Sequence, residues 1–446
     1  MVTTEMNSST LQQSPHASAD SLHSNQEPDL IAQPADNALP LRVRTLRTEE
    51  DLRSIDSTWA ELAQSPNADP AFYRTVLDTS ASIKHPFVLV IEQGSTIKAL
   101  LIGRVEEIRL DIKLGYFSLP SPKVRALVFI YGGLLGDPDE SACRLLVDAI
   151  TASLSKGEAS VAMFNHLRAD SPLYPLIANH PAFMMRDRCS TLATHRRVTV
   201  RDNVADFWAK LTYKARGNLR WNVKTFLKSY ADSHTIECYT EPSQMDEMAS
   251  KLEKIASKTY QRGLGVGFSN SDSELVRMRQ KAELGWLRNY ILSVNGEPVG
   301  FFCGTIYAGI FHGDHMGFDP EYRRSSPGIF LTIRVIEGFC ENKSPDLVRF
   351  VDFGLGDARY KAEISDIEFN DAVIYLFAPT LGGALLNLYR TPALLLDRLA
   401  RRIFNPMTQE KIKRFWRKLL RKETQPAKGD AKGEAKDKSS KESKKS

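Results

Sequence analysis

One order of elements occurs twice in this chain, and that repetition limits the fold more than any single motif does. Phe87–Gly94 followed by Ile97–Gly103 reads as a hairpin of apolar strands. Tyr290–Gly296 followed by Val299–Gly304 reads as a second one, turned through Asn295-Gly296, the strongest short hairpin signal. Each hairpin precedes another strand-like run (Val124–Ile130; Gly309–Met316) and a glycine-containing loop. Next come a helix of apolar period (Ala142–Leu154; Gly328–Asn342) and a further strand (Ser160–His166; Leu347–Asp352). Past that strand each copy has a loop acid and a tyrosine, Asp170 with Tyr174 and Asp357 with Tyr360. A shared order of this length points to a tandem duplication. The expected fold class is therefore α/β (α+β): two related units, each a mixed central sheet flanked by helices, over residues 41–200 and 201–405.

The ends differ from this middle. Residues 1–40 are polar, without the apolar run of a secretory signal, and have the composition of a disordered leader. Residues 406–446 form a basic segment that passes into a Lys-rich, low-complexity end. The formal charge of +5 is uneven: from Lys411 onward 14 Lys and Arg face 5 Asp and Glu, leaving 45 against 49 elsewhere. Lys411–Lys422 places Ile412, Phe415, Trp416 and Leu419 at helical spacing among cations. Such a helix lies on an anionic membrane surface, or docks on the domain by its apolar face. Five scattered cysteines without a CxxC pair exclude a disulfide framework and fit a reducing cytoplasm. The longest apolar stretch, Ala372–Tyr389, is broken by Pro379, Gly382, Gly383 and Asn387, so a buried strand and helix are expected there rather than a membrane span.

The chemistry-bearing residues gather in the second copy. Gly317–Gly328 leads from a strand into a helix beginning near Ile329, and Arg323, Arg324 and Ser326 lie just ahead of that start. Free amides at a helix start, with arginines beside them, suit a phosphate. One strand later, Asp352, Asp357 and Tyr360 can move protons, with Lys361 next to them and His315 at the preceding strand end. His312 and His315 are three apart on a strand and face opposite sides, which argues against a shared metal. From Asp206 to Tyr230 one helix is expected, with aromatics buried and cations such as Arg216 and Arg220 solvated, so no nucleic-acid partner is expected. Gly263–Gly267 reads as a flexible loop on the substrate side. There is no GxxxxGK[ST] and no strand-borne GxGxxG.

Lys214–Arg220, Asp319-Pro320 with Ser326-Pro327-Gly328, and Asp352 through Lys361 together resemble the GNAT acyltransferase superfamily. The resemblance is to its cellulose-biosynthesis-type branch, whose tandem folds are akin to the Fem transferases. It covers about residues 200–400, with a fainter echo over 41–200. It implies N-acyl transfer from acetyl-CoA, without a metal, to an amine of a saccharide, peptide or lipid precursor in polysaccharide or envelope biosynthesis. The donor's pyrophosphate would lie on Arg323, Arg324, Ser326, Gly328 and Ile329. Asp352, Asp357 or His315 would be the base and Tyr360 the acid, with Lys361, Arg216 and Arg220 toward the acceptor. Two other activities stay open: a non-catalytic scaffold, and a Fem-type aminoacyl transfer from charged tRNA. One departure stands out. The usual Arg/Gln-x-x-Gly-x-Gly/Ala signature is here Arg324-Ser325-Ser326-Pro327-Gly328-Ile329, and proline removes an amide donor. The first copy, with Tyr131–Asp137 in place of an arginine-rich loop, reads as degenerate.

Overall fold

The computed structural model describes residues 39–110, 112–114, 117–259, 262, 267–341, 348–356 and 358–403. Twelve strands form one mixed sheet. In the first half these are β1 (Leu41–Leu46), β2 (Ile83–Gln93), β3 (Thr96–Arg109), β4 (Lys123–Gly136), β5 (Val161–Arg168) and β6 (Thr191–Thr199). In the second they are β7 (His234–Tyr239), β8 (Leu287–Val294), β9 (Glu297–Tyr307), β10 (Ile310–Phe318), β11 (Phe350–Leu355) and β12 (Ile367–Phe377). The helices before the midpoint are α1 (Glu49–Arg53), α2 (Asp56–Leu62), α3 (Pro70–Asp78), α4 (Glu140–Ser155) and α5 (Leu173–Asn179). Those after it are α6 (Val204–Lys210), α7 (Tyr213–Tyr230), α8 (Met245–Ala256), α9 (Asp272–Glu283), α10 (Pro327–Glu341), α11 (Arg359–Ile364) and α12 (Leu381–Ile403).

Across the sheet the strands run β1-β2-β3-β4-β5-β12-β6-β11-β10-β9-β8-β7. Reading inward from either edge gives five strands in chain order, then the last strand of the other half. Each half therefore completes its sheet with a strand from its counterpart. β12 pairs antiparallel with both β5 and β6, and β6 pairs antiparallel with β11. Within each half one neighbouring pair is parallel, β4 with β5 and β10 with β11. Both parallel pairs are crossed over by a helix, α4 and α10, as parallel strands require. This correspondence of order, direction and crossover shows two folds of one plan in tandem.

The cores follow the same plan. α4 and α5 cover one face of the first half with Leu146, Ile150 and Ile177, while Trp59 and Tyr73 from α2 and α3 fill the other. In the second half α6, α7 and α10 cover one face and α8 and α9 the other. α10 is apolar nearly all round because it is enclosed: Phe330, Ile333 and Ile336 lie between the sheet and α7. Each such side chain stabilises the fold by roughly 1.5–3 kcal/mol.

Three expectations change. The single helix over 206–230 is two, α6 and α7, because Thr212 adopts an extended conformation and caps the amide of Ala215 at 3.2 Å. Trp208 and Phe226 are buried as anticipated, but Tyr213 and Trp221 are exposed. Tyr131–Gly136 is the end of β4 rather than a loop. Gly136 has φ +79°, and a Cβ there would stand 2.4 Å from the Lys98 carbonyl oxygen, so the strand ends in a backbone that needs glycine. Finally, β12 is buried as expected over Ala372–Phe377, but the helix after it turns leucines outward and polar groups inward. Its Arg390 pairs with Asp187 at 2.5 Å, both side chains at most 2% exposed.

Removing one member of that pair isolates a buried charge. Asp187→Ala is expected to lower stability by about 3–5 kcal/mol. Arg53→Ala, at an exposed ion pair with Glu49, should cost about 0.5 kcal/mol or less. Urea unfolding midpoints of the two variants check both values.

Candidate active site

β10 and β11 are paired at three positions only, Ile310 with Phe350, Phe311 with Val351 and His312 with Asp352, and then separate. Two irregularities part them. β10 carries an extra residue at Asp314 against β9, where Cys303 faces His315 and Gly304 faces Gly313. β11 bulges against β6 between Asp352 and Leu355, with Gly354 at φ +62°. Bulges bend and twist their strands, so β10 and β11 part beyond His312, and among the described residues no other strand fills the cleft between them.

The far end of the cleft is an anion-type turn. After Phe318 the chain makes a 3-10 turn over Pro320–Ser325, and Ser326 takes φ +57° before α10 begins at Pro327. Asp319, 3% exposed, fixes the turn by accepting the Glu321 amide at 3.0 Å and pairing with Lys258 at 2.5 Å. Pro327 has no N–H, and Phe330 N donates to Ser326 O at 3.1 Å. The amides of Gly328 and Ile329 occupy the first turn, where no intrahelical acceptor exists. Gly328 packs close: a Cβ would approach Phe318 Cδ1 to 3.2 Å. Arg323 and Arg324 are exposed and, among the described residues, make no ion pair. Arg323, Arg324, Ser326, Gly328 and Ile329 thus lie in one turn and helix start, which retains two amides able to take an anion despite the proline. The first copy lacks it. At the start of α4, Asp139 accepts the Ala142 amide at 2.8 Å and Glu140 follows, so this turn is negative and its amide is taken.

At the closed end lies a buried ionic node. His195 of β6 gives one ring nitrogen to Asp352 of β11 at 2.5 Å and the other to Asp371 of β12 at 2.7 Å. All three are at most 2% exposed. The imidazole stacks on Phe369 at 4.5 Å and on Tyr131 at 5.8 Å. Arg197 Nε donates to the second Asp352 oxygen at 2.8 Å, and the Gly354 amide to the first at 2.7 Å. Burial opposes the Asp352 charge, but the His195 hydrogen bond and the charges of His195 and Arg197 outweigh it and hold the carboxyl down at about 2. Burial likewise opposes the imidazolium, yet the two carboxylates raise His195 above its ordinary value. His312, 3.9 Å from Asp352, is pushed down by burial to about 4 and is neutral at pH 7.

The other sequence candidates are distributed around the cleft. Tyr360 leans across it: its hydroxyl lies 3.4 Å from Met316 Sδ of β10, its ring edge-on to Phe353. His315, adjacent to Met316, faces the other side of the sheet and lies 3.4 Å from Glu274 of α9. The His315 hydrogen bond lowers the Glu274 carboxyl. His312 and His315 thus have separate partners. Lys361 donates to the carbonyls of Phe353 and Leu355 at 2.7 and 2.9 Å, holding the bulge of β11, and burial pulls its amine down. Arg216 caps the end of α6 through the carbonyls of Ala209 and Leu211, and Arg220 lies over the Trp208 ring at 5.2 Å. Both are engaged at the α6–α7 corner. Asp357 and Gly263–Val266 fall outside the described residues. His195, Arg197, Asp371 and Glu274 were not singled out in the sequence. A histidine before two arginines in a β-type run was the only local hint, and its acids lie 157 and 176 residues away.

Residues 214–362 match the family described as the acetyltransferase (GNAT) domain. The matched segment runs from the start of α7 through α11 and contains the cleft, the anion turn and Tyr360. That match supports a GNAT-type domain in the second half. No curated protein matches the chain. Several solved structures are similar in outline. FemX shares 10% identity over 78% of this chain and 100% of its own, with a TM-score of 0.47. The C-terminal domain of a lysylphosphatidylglycerol synthetase homologue from Agrobacterium fabrum shares 13% over 78% and 98%, at 0.45. A tandem GNAT protein from the clavulanic acid pathway shares 12% over 75% and 98%, at 0.44.

The node makes stability depend on pH from both sides. The lowered Asp352 contributes fully above its unfolded value of about 4 and loses that contribution as pH falls through about 2. The raised His195 contributes fully below its unfolded value of about 6.5 and loses it as pH rises through the higher folded value. The stability lost in His195→Gln should therefore be greatest between about pH 4 and 6.5, at roughly 3–5 kcal/mol. Urea midpoints measured across pH for both proteins would show that maximum.

Proposed function

We propose that the second half is an N-acyltransferase that takes its acyl group from an acyl-CoA thioester, acetyl-CoA being the expected donor, and gives it to an amine. The observation that carries this reading is the cleft itself, where β10 and β11 part beyond His312 and a helix start with two first-turn amides follows. A diphosphate with a long amide-bearing arm fits both. Its phosphates would take the Gly328 and Ile329 amides with Arg323 and Arg324. Its arm would pair with the open edge of β10, as an added strand does.

This places the thioester near Gly313–Met316, between two groups able to exchange protons. The acceptor nitrogen attacks the carbonyl carbon, forming C–N while C–S breaks. His315, oriented by Glu274, takes the proton from nitrogen on one face of β10. Tyr360, on the other, protonates the departing thiolate. Asp352 is already ionised, buried and fully engaged, so it acts as a positioning residue that holds the vertex. The first half, with its negative α4 turn, shapes the acceptor side without a donor of its own. An envelope or polysaccharide precursor in the cytoplasm remains the proposed acceptor class.

Calorimetry with acetyl-CoA is the direct test. The wild-type chain should bind, and Arg323→Ala with Arg324→Ala should weaken binding by about tenfold or more. Tyr360→Phe and His315→Ala should keep the affinity while lowering thiol release by about 10²-fold. Absence of binding at millimolar acetyl-CoA, or transfer only with charged tRNA, would overturn the donor assignment.

A further inference from the structure

α12 is built inside out. Against the protein it sets Asn387, Arg390, Thr391 and Asp397, all buried. Arg390 pairs with Asp187 and lies over Tyr375, and the Asn387 amide donates to the carbonyls of Met184 and Arg186. Toward solvent it sets Leu381, Leu385, Leu388, Leu395, Leu396 and Leu399, between 49% and 79% exposed. Their spacing keeps them on one stripe of about 27 Å at the helical rise. Phe183 and Met184, 67% and 53% exposed on the adjoining turn, widen it. Scattered exposed leucines are ordinary, but a continuous stripe of this size marks a contact surface.

The charges around the stripe select its partner. The one acid of α12, Asp397, is buried. Cations edge the apolar surface: Arg398 donates to the carbonyls of Arg188 and Ser190, and the Arg188 guanidinium lies over the Phe183 ring at 4.0 Å. The chain continues past α12 into the segment with 14 Lys and Arg against 5 Asp and Glu, including the amphipathic Lys411–Lys422. Folding that segment back onto the stripe would press its cations against Arg188 and Arg398. A second copy would set those arginines against themselves. An anionic lipid surface accommodates all of it, with leucines at the acyl boundary and cations among the headgroups. No described helix is long and apolar enough to cross a membrane. We propose that α12 is a docking helix that lies on anionic lipid surfaces.

Flotation of the full chain with vesicles tests this. The wild-type protein should float with phosphatidylglycerol–phosphatidylcholine vesicles, less so at high salt, and not with phosphatidylcholine alone. Leu385→Gln, Leu388→Gln and Leu396→Gln combined alter only exposed side chains, so circular dichroism should stay unchanged while vesicle binding falls about tenfold or more. Undiminished flotation of the leucine variant would overturn the proposal. So would a wild-type chain that ignores the vesicles and forms a dimer, or a basic segment shielded from protease, that the leucine changes release.

Discussion

The contact on which the rest depends is the His195 imidazolium held between Asp352 and Asp371. These groups come from β6, β11 and β12, the strands at which the two halves exchange their ends. Two buried carboxylates side by side would repel and carry unmet desolvation. A cation with a donor on each side offsets the repulsion and gives each carboxylate a partner. Arg197 covers the second oxygen of Asp352, and Phe369 and Tyr131 exclude water from the ring faces. The centre of a twelve-stranded sheet can therefore be ionic and still closed.

The cleft begins where the node ends. Asp352 is the last residue of β11 in register with β10, and its carboxylate also receives the Gly354 amide, which sets the bulge. Lys361 then ties the carbonyls on either side of Gly354. One carboxylate thus binds the sheet on its inner side and bends the strand on its outer side. The separation of β10 from β11 is a consequence of that anchoring, and the anion turn at α10 lies at the mouth it creates.

Much of this was legible in local sequence, because hairpins, helix starts and strand ends are written in neighbouring residues. Asn295-Gly296, the apolar period of α10 and the Pro-Gly start at Gly328 each announce themselves over a few positions. Tyr360 and His315 were candidates for moving protons, and the structure sets them on opposite sides of β10. The exchange of β6 and β12 was not legible, since a strand's pattern does not say which sheet it joins. For the same reason Asp352 was read as a candidate base: its partners His195 and Arg197 lie in the other half of the chain. Ala372–Tyr389 was expected to be a buried strand and helix, yet Leu381, Leu385 and Leu388 face outward, because an apolar run does not say which way a helix turns its face. Arg390 and Asn387 hold the opposite face inward, the one through the buried Asp187 and the other through the Met184 and Arg186 carbonyls.

The exchange also explains how one half can lose its anion turn and yet be needed. With Asp139 and Glu140 at its start, α4 does not repeat the phosphate-type start of α10. It nevertheless supplies β6, and with it His195 and Arg197, to the vertex of the second half's cleft. It supplies Tyr131 as well, one wall of the imidazole's enclosure. A substitution that removes β6 from register would therefore disturb Asp352 and the bulge after it before it reached any group able to touch a ligand. The two folds are duplicated in order but unequal in structure, since a strand of the first holds Asp352 of the second in place.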